Sequence, residues 1–244
     1  MPRSHGKLHY LLLQVRDVDD PIRSREVDSF AQSLGCDVGR IACGDLLERP
    51  PSLAVVRRHD VVFIGGSGRY SATSDEPWLH RTLDFLRELF ESGTAVFASC
   101  WGFQAFSRAL GGTVVKDSQH AELGTRSVSL TTAGRNDPVF GSLDAEFLAQ
   151  MGHEDSVTIL PEKATLLAVS DRANQAIGFA GRPVYATQFH SELNRDGLLE
   201  RVRTYPDYIR KITGETFDEF DRRCQDTPAA SSLMRRFVEH IFDA

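Results

Sequence analysis

Three apolar segments in the first half of the chain each lead, after a short connection, into a stretch with helical spacing that ends at a glycine. The segments are residues 8–15, 60–68 and 94–99, and the closing glycines are Gly35, Gly93 and Gly111. Strands and helices that alternate with short connections are typical of a parallel sheet covered by helices on both faces. The sequence therefore predicts an α/β protein built on an open, mostly parallel sheet flanked by helices.

The rest of the chain changes character twice. Residues 113–190 hold several β-rich segments, and the residues after 195 are mostly helical and charged. One apolar set near the C-terminus recurs every fourth position and predicts a helix that packs back on the domain, namely Leu233, Phe237 and Ile241. No repeat or linker divides the chain. We expect one domain over 1–244, with a core at about 8–195, a β-rich insert and a helical extension at 196–244.

Composition excludes several classes of function. The net charge of −6 argues against a general binder of nucleic acid or of membrane surfaces, since both are acidic. No apolar run approaches the roughly 18 residues of a membrane span. Residues 8–15 are too short for a typical signal-peptide core and are interpreted as the first strand. The four cysteines show no metal or redox spacing and predict a cytoplasmic protein with reduced thiols: Cys36, Cys43, Cys100 and Cys224.

Cys100 stands where the third apolar segment turns into a helix. A nucleophile on a strand-to-helix turn needs small residues two positions away on each side, and Ala98 and Gly102 meet that need. The amides at the start of the following helix would point toward the sulfur. A lone cysteine is also commonly a small buried packing residue. This segment alone leaves both interpretations open.

A histidine near the end of another predicted strand strengthens the chemical interpretation. His190 follows the apolar segment "VYATQF", and Glu192 comes two residues later. In extended chain, side chains two positions apart share a face, so the carboxylate can orient the imidazole. A cysteine that attacks carbonyl groups needs such a base.

Acyl chemistry also needs donors for the oxyanion. The strand "FIGGSG" ends in glycines that include Gly65 and Gly66, whose backbone N–H groups can approach a substrate closely. The amide of Trp101, directly after Cys100, would be a second donor. The glycines can equally form a plain tight turn. Phosphate binding is disfavoured because neither common phosphate-loop motif is present.

Two weaker candidates remain open on pattern alone. Gln104 lies one helical turn after Cys100 and either faces the same opening or is an exposed helical residue. The segment 152–156, "GHEDS", places a histidine and two acids at a turn, and the pattern favours a solvated loop. It is too short and isolated to predict a metal site.

Taken in order, these motifs resemble the class I (triad-type) glutamine amidotransferases, in particular free-standing domains similar to the glutaminase part of GMP synthase. The resemblance covers roughly residues 8–195. It is carried by "FIGGSG", "FASCWGF", "HAELGT", "MGHEDSV" and "ATQFHSE". It implies a flavodoxin-like three-layer α/β fold.

The resemblance also implies roles for individual residues. Cys100 would be the nucleophile, His190 the general base and acid, and Glu192 its orienting carboxylate. Gly66 and Trp101 would donate oxyanion amides. Contacts with the glutamyl group or its pocket are implied for a further set of residues: Gly65, Gln104, Glu122, His153 and Asp155. Three positions depart from the family pattern without removing a catalytic group, with Ala98 for glycine, Phe103 for histidine and Ser191 for proline.

We therefore expect hydrolysis of a γ-glutamyl amide, either glutamine or a γ-glutamyl compound, through a thioester intermediate. No metal or cofactor is expected, and the expected partner is a small-molecule substrate. Ammonia could pass to a separate synthase subunit. Alternatively, the enzyme could be a γ-glutamyl peptidase that uses water, or a non-catalytic regulatory or binding module.

Overall fold

The computed structural model describes residues 8–242. Residues 1–7 and 243–244, at the two ends of the predicted domain, lie outside the described residues. Eleven strands are described. They are β1 Tyr10–Val15, β2 Ile41–Asp45, β3 Val61–Ser67, β4 Val96–Ser99, β5 Thr113–Lys116, β6 Glu122–Leu130, β7 Glu146–His153, β8 Asp155–Ile159, β9 Ala164–Val169, β10 Asn174–Phe179 and β11 Arg182–Thr187.

The helices fill the connections and the C-terminal part. They are α1 Ile22–Leu34, α2 Leu53–Val56, α3 Pro77–Glu91, α4 Trp101–Ala109, α5 Thr132–Arg135, α6 Arg195–Thr204, α7 Pro206–Thr213, α8 Phe217–Arg223, α9 Pro228–Ser231 and α10 Leu233–Phe242, with a 3-10 turn at Val38–Arg40. Within residues 8–242, no helix is both long enough and apolar enough to cross a bilayer.

One nine-stranded sheet organises the molecule, in the order β2-β1-β3-β4-β11-β10-β9-β6-β7. The first five strands of this order pair in parallel, and the strands from β11 to β7 pair antiparallel. The predicted α/β architecture is confirmed. Most of the β-rich region extends the central sheet, because β11 pairs with β4, and only β5 and β8 form a separate two-stranded sheet.

Helices cover both faces of the sheet. One apolar cluster joins α1 and α10 to alternate residues of the strands, and a second joins α3 and α4 to the other face. The alternation is visible in β1, where Leu12 faces the first cluster and Leu13 the second. In α10, Leu233 and Phe237 are fully buried and Ile241 is partly buried, as the sequence spacing predicts.

The C-terminal helices form a third, smaller apolar cluster. Residues of α6, α7 and α8 pack around Leu123 of β6 and complete this cluster: Leu193, Leu198, Leu199, Val202, Ile209, Phe220 and Cys224. The tail thus covers the end of the sheet near the start of β6. That residues 1–244 form one domain stays a prediction.

Candidate active site

The turn between β4 and α4 has an unusual backbone. Cys100 has φ 52° and ψ −103°, and it is the one non-glycine residue with positive φ in the part of the chain described. Its N–H donates to the carbonyl of Thr187 on β11 at 2.8 Å, and its carbonyl accepts the N–H of Gln104 at 3.2 Å. These bonds hold the sulfur at the carboxyl ends of the central strands, where open α/β sheets bind ligands.

Close packing explains the small residues beside this turn. A Cβ on Gly102 would lie 2.9 Å from both the Cγ2 and the carbonyl oxygen of Ile64. Ala98 is fully buried in the strand. The helix can therefore lie close to β3 only with glycine at this position, in agreement with the prediction for a nucleophile turn.

His190 and Glu192 lie just beyond β11, next to the turn. His190 Nδ1 is 2.6 Å from Glu192 Oε1, and because a carboxylate only accepts, this nitrogen carries the proton. Ser99 Oγ donates to the other carboxylate oxygen at 2.7 Å. Arg201 Nη1 lies 3.1 Å from His190 Nδ1 and 3.6 Å from Glu192 Oε1, which adds a positive charge beside the carboxylate.

The opposite charges of His190 and Glu192 stabilise each other. Burial lowers the pKa of His190, but the Glu192 carboxylate and Cys100 outweigh it and raise this pKa to about 9. Burial raises the pKa of Glu192, but His190, Arg201 and Ser99 outweigh it and lower this pKa to about 2. The arrangement favours imidazolium beside carboxylate over the neutral pair.

The sulfur of Cys100 lies beside the imidazole of His190, on the side of Nε2, the nitrogen that does not face Glu192. The thiol donates to the carbonyl of Gly152 at 3.6 Å, and a Cβ on Gly152 would lie 3.4 Å from His190 Nε2. The amide nitrogen of Gln188 lies 3.8 Å from the sulfur. A hydrogen bond between Cys100 and His190 also raises the pKa of His190. The structure thus brings the three predicted triad residues together in order.

A cavity of about 280 Å³ opens at the sulfur. Among its lining residues are Cys100, Trp101, Gln104, His153 and Asp155. Pockets for drug-sized ligands range from about 300 to 1,000 Å³, so this cavity lies just below that range and suits a small group.

Gln104 is buried in the cavity wall, so the alternative of an exposed helical residue is wrong. Its amide nitrogen donates to the carbonyl of Asp155 at 2.9 Å and to Gln188 Oε1 at 3.1 Å. These bonds hold the side chain in one orientation beside the cavity.

The segment 152–156 is also buried, so the pattern-based expectation of a solvated loop is wrong. His153 ends β7, and its Nε2 lies 3.1 Å from Glu122 Oε2. Asp155 begins β8, and its Oδ2 accepts Ser71 Oγ at 2.5 Å. Glu122 lies behind His153, outside the cavity lining, and also accepts from Ser170 and Gln175. The buried carboxylate thus supports the cavity wall indirectly.

Of the residues predicted near the oxyanion, Trp101 belongs to the cavity lining, whereas Gly65 and Gly66 do not. A Cβ on Gly66 would lie 3.1 Å from His190 Cε1, and a Cβ on Gly65 would lie 2.7 Å from Glu26 Oε1. Neither position has room for a side chain. Trp101 begins α4, so its N–H belongs to the first turn, which has no acceptor within the helix. Its ring is buried against Trp78, with centroids 6.0 Å apart.

No group of three or more histidine, cysteine, aspartate or glutamate side chains within residues 8–242 has an arrangement that could hold a metal ion.

Comparison with known proteins identifies the family of this chain. The family model described as glutamine amidotransferase class-I matches residues 32–196. The chain belongs to this family. Strand β1 and most of α1 precede the matched residues, and most of the helical tail described above follows them.

Individual relatives of this class I glutamine amidotransferase match over part of their length. Gamma-glutamyl peptidase 5 of Arabidopsis thaliana is 34% identical over 147 residues, which cover 59% of this chain and 58% of that protein. A GMP synthase (glutamine-hydrolyzing) of Lactobacillus delbrueckii is 33% identical over 68% of this chain and 31% of that protein. A crystal structure of a glutamine amidotransferase from Thermotoga maritima superimposes with a TM-score of 0.75 at 16% identity, covering 99% of this chain and 100% of that one. This last likeness shows the shared fold.

Three residues at the site were not predicted from the sequence. Ser99 directly precedes Cys100, and Gln188 lies two residues before His190. This nearness in sequence to the triad residues was the available signal for both. Arg201 lies in α6, and no local pattern connects it with the distant Cys100. Only the packing of the tail brings it to Glu192.

Proposed function

We propose that the protein hydrolyses γ-glutamyl amide bonds, with Cys100 as nucleophile, His190 as general base and acid, and Glu192 as the orienting carboxylate. The observation that carries the proposal is the buried Glu192–His190 pair beside a cysteine on a positive-φ turn at the mouth of a cavity. The family membership and the γ-glutamyl and glutamine-hydrolysing relatives support it.

Acylation follows from the arrangement of the side chains. His190 holds, as imidazolium, the proton that the Cys100 thiol gives up to Nε2, and the thiolate sulfur attacks the γ-carbonyl carbon. The amides of Gly66 and Trp101 would stabilise the oxyanion. Gln104, His153 and Asp155 would line the glutamyl site, with Gly65 and Glu122 behind them. The carbon–nitrogen bond then breaks as the imidazolium gives its proton to the leaving nitrogen. A thioester on Cys100 remains.

Deacylation uses the same groups in reverse. Water enters where the amine has left, His190 takes its proton, and the oxygen attacks the thioester carbon. The carbon–sulfur bond breaks, the proton returns to the sulfur, and glutamate is released. The negative Glu192 stabilises the imidazolium that forms in both halves of the cycle.

The test is release of glutamate from glutamine and from γ-glutamyl dipeptides by the purified protein and by Cys100→Ala. We expect Cys100→Ala to lose essentially all turnover. Cys43→Ala is the matched control, because Cys43 is an exposed free cysteine on β2, and it should keep wild-type rates. Retention of turnover in a folded Cys100→Ala protein would exclude this mechanism.

Two finer parts of the proposal concern the context of the reaction. All four cysteines are free thiols, which supports a reducing compartment such as the cytoplasm. Glutamine hydrolysis that appears only after a synthase subunit is added would indicate ammonia transfer to that subunit. Turnover of γ-glutamyl compounds by the protein alone would indicate that water is the acceptor.

A further inference from the structure

A second cavity, of about 500 Å³, adjoins the cavity at Cys100. The two share part of their walls, namely Ser67, Gly68, Arg69, Gly152, Tyr208 and Lys211. They divide the triad between them. Cys100 belongs to the lining of the first cavity, and His190 to the lining of the second.

This division matches the two halves of a γ-glutamyl amide. The carbonyl carbon must reach the sulfur of Cys100, and the leaving nitrogen must reach His190, which protonates it. Any group carried by that nitrogen therefore extends into the second cavity. Ammonia, similar in size to a water molecule at about 30 Å³ of liquid volume, would fill only a small part of it.

The walls of the second cavity are mainly apolar and come largely from the tail. The accessible apolar surface of this cavity comes from the rings of Tyr205, Pro206 and Tyr208. Leu123, Leu198 and Val202 lie behind this surface and are at most 2% exposed. Residues beyond 196 lie outside the matched family model. The cavity is therefore built from a part of the chain that the family match does not include.

The cations of this cavity are already paired with carboxylates. Lys211 Nζ lies 2.6 Å from Glu154, Arg69 Nε lies 3.0 Å from Asp17, and Arg201 is shared by Glu192 and Glu26. A charged substituent would have to compete for these partners. An apolar substituent needs only the apolar wall.

We propose that the second cavity is a subsite for the leaving group and that it selects γ-glutamyl amides of primary amines with an apolar or aromatic substituent. The proposal rests on the proposed hydrolysis of γ-glutamyl amides. The substituent packs against the rings of Tyr205, Pro206 and Tyr208, while its nitrogen takes the proton from His190. Free glutamine, which has no substituent, gains nothing from this wall.

The first test is kcat/KM for a series of donors with the same γ-glutamyl group, measured as glutamate release by the whole protein. The series is glutamine, the γ-glutamyl methylamide, the butylamide and the benzylamide, with γ-glutamylglycine as the charged member. Each methylene buried should raise kcat/KM about fourfold. We expect the benzylamide to exceed the methylamide at least tenfold and to exceed γ-glutamylglycine.

A pair of matched variants locates the effect. Tyr205 lines the cavity, and its hydroxyl donates to both carboxylate oxygens of Asp20, at 2.8 and 2.9 Å. Tyr205→Ala should lower the benzylamide-to-glutamine ratio of kcat/KM about fivefold through the lost contact with the ring. Tyr205→Phe loses the same hydrogen bonds but keeps the ring, and it should leave this ratio unchanged, so a general loss of stability cannot imitate the result.

The outcomes separate the subsite from the reaction. Hydrolysis of glutamine as fast as the benzylamide, or faster, overturns the subsite and leaves the proposed reaction standing. A preference for γ-glutamylglycine overturns the apolar class of substituent. Equal effects of the two Tyr205 variants on the ratio overturn the assignment of the subsite to this wall. Failure to hydrolyse any member of the series refutes the proposed reaction and the subsite together.

Discussion

Removing the negative charge of Glu192 tests the electrostatic core of the site. Glu192→Gln keeps the shape of the side chain and an oxygen that can accept the Nδ1–H of His190. In the wild-type protein the distance from His190 Nδ1 to Glu192 Oε1 is 2.6 Å. The pKa of His190 is about 9 against an ordinary 6.5, which corresponds to about 3 kcal/mol in favour of imidazolium. Burial opposes this charge, so without the carboxylate we expect the pKa to fall toward or below 6.5.

Two measurements follow this change. NMR titration of labelled histidines, with the His190 signal assigned by its absence in His190→Gln, gives the pKa directly. The rate of glutamate release at pH 7–8 should fall about 100- to 10,000-fold, because the imidazolium formed in each step loses its stabilising charge.

Glu122→Gln is the matched control. Glu122 is also a buried glutamate within hydrogen-bonding distance of a histidine, in this case His153. This variant should leave the titration of His190 unchanged. A His190 pKa that stays above 8 in folded Glu192→Gln would refute the argument, and so would wild-type turnover in that variant.

Three further predictions concern neighbouring groups. Arg201→Met should lower kcat about tenfold or more by removing a charge beside Glu192, whereas Arg203→Met, exposed on the same helix, should not. Gly102→Ala should destabilise the fold by about 1–3 kcal/mol in urea unfolding, because its Cβ would lie 2.9 Å from β3. The free energy of unfolding should also depend on pH. Because its pKa is raised, His190 adds about 3 kcal/mol to the free energy of unfolding. This contribution is fully present below pH 6.5 and is lost as the pH rises from 6.5 through 9. The loss should be absent in Glu192→Gln.

The sequence predicted those parts of the site that depend on local chemistry. Strand ends and strand-to-helix turns have local sequence patterns. These patterns identified Cys100, which has small residues around it, and His190, which is followed by Glu192. Their approach to one another follows from parallel pairing of β4 and β11, which the strand–helix alternation could only suggest.

Other features depend on tertiary packing, and the local sequence does not predict them. Strand β2 was missed because its five residues include two exposed ones and no clear alternation of apolar side chains. The burial of His153 arises from neighbours on other strands, so its polar local sequence suggested a solvated loop instead. Arg201 reaches Glu192 only because the tail packs around Leu123.

The backbone at Cys100 has a further consequence for how this residue is selected. Conformations of this kind cost an L-residue about 1–3 kcal/mol, whereas glycine adopts positive φ without that cost. A glycine at position 100 would therefore make the fold more stable and remove the sulfur. Selection for a durable fold and selection for a thiol thus favour different residues at this one position. The cysteine found there indicates which of the two has prevailed.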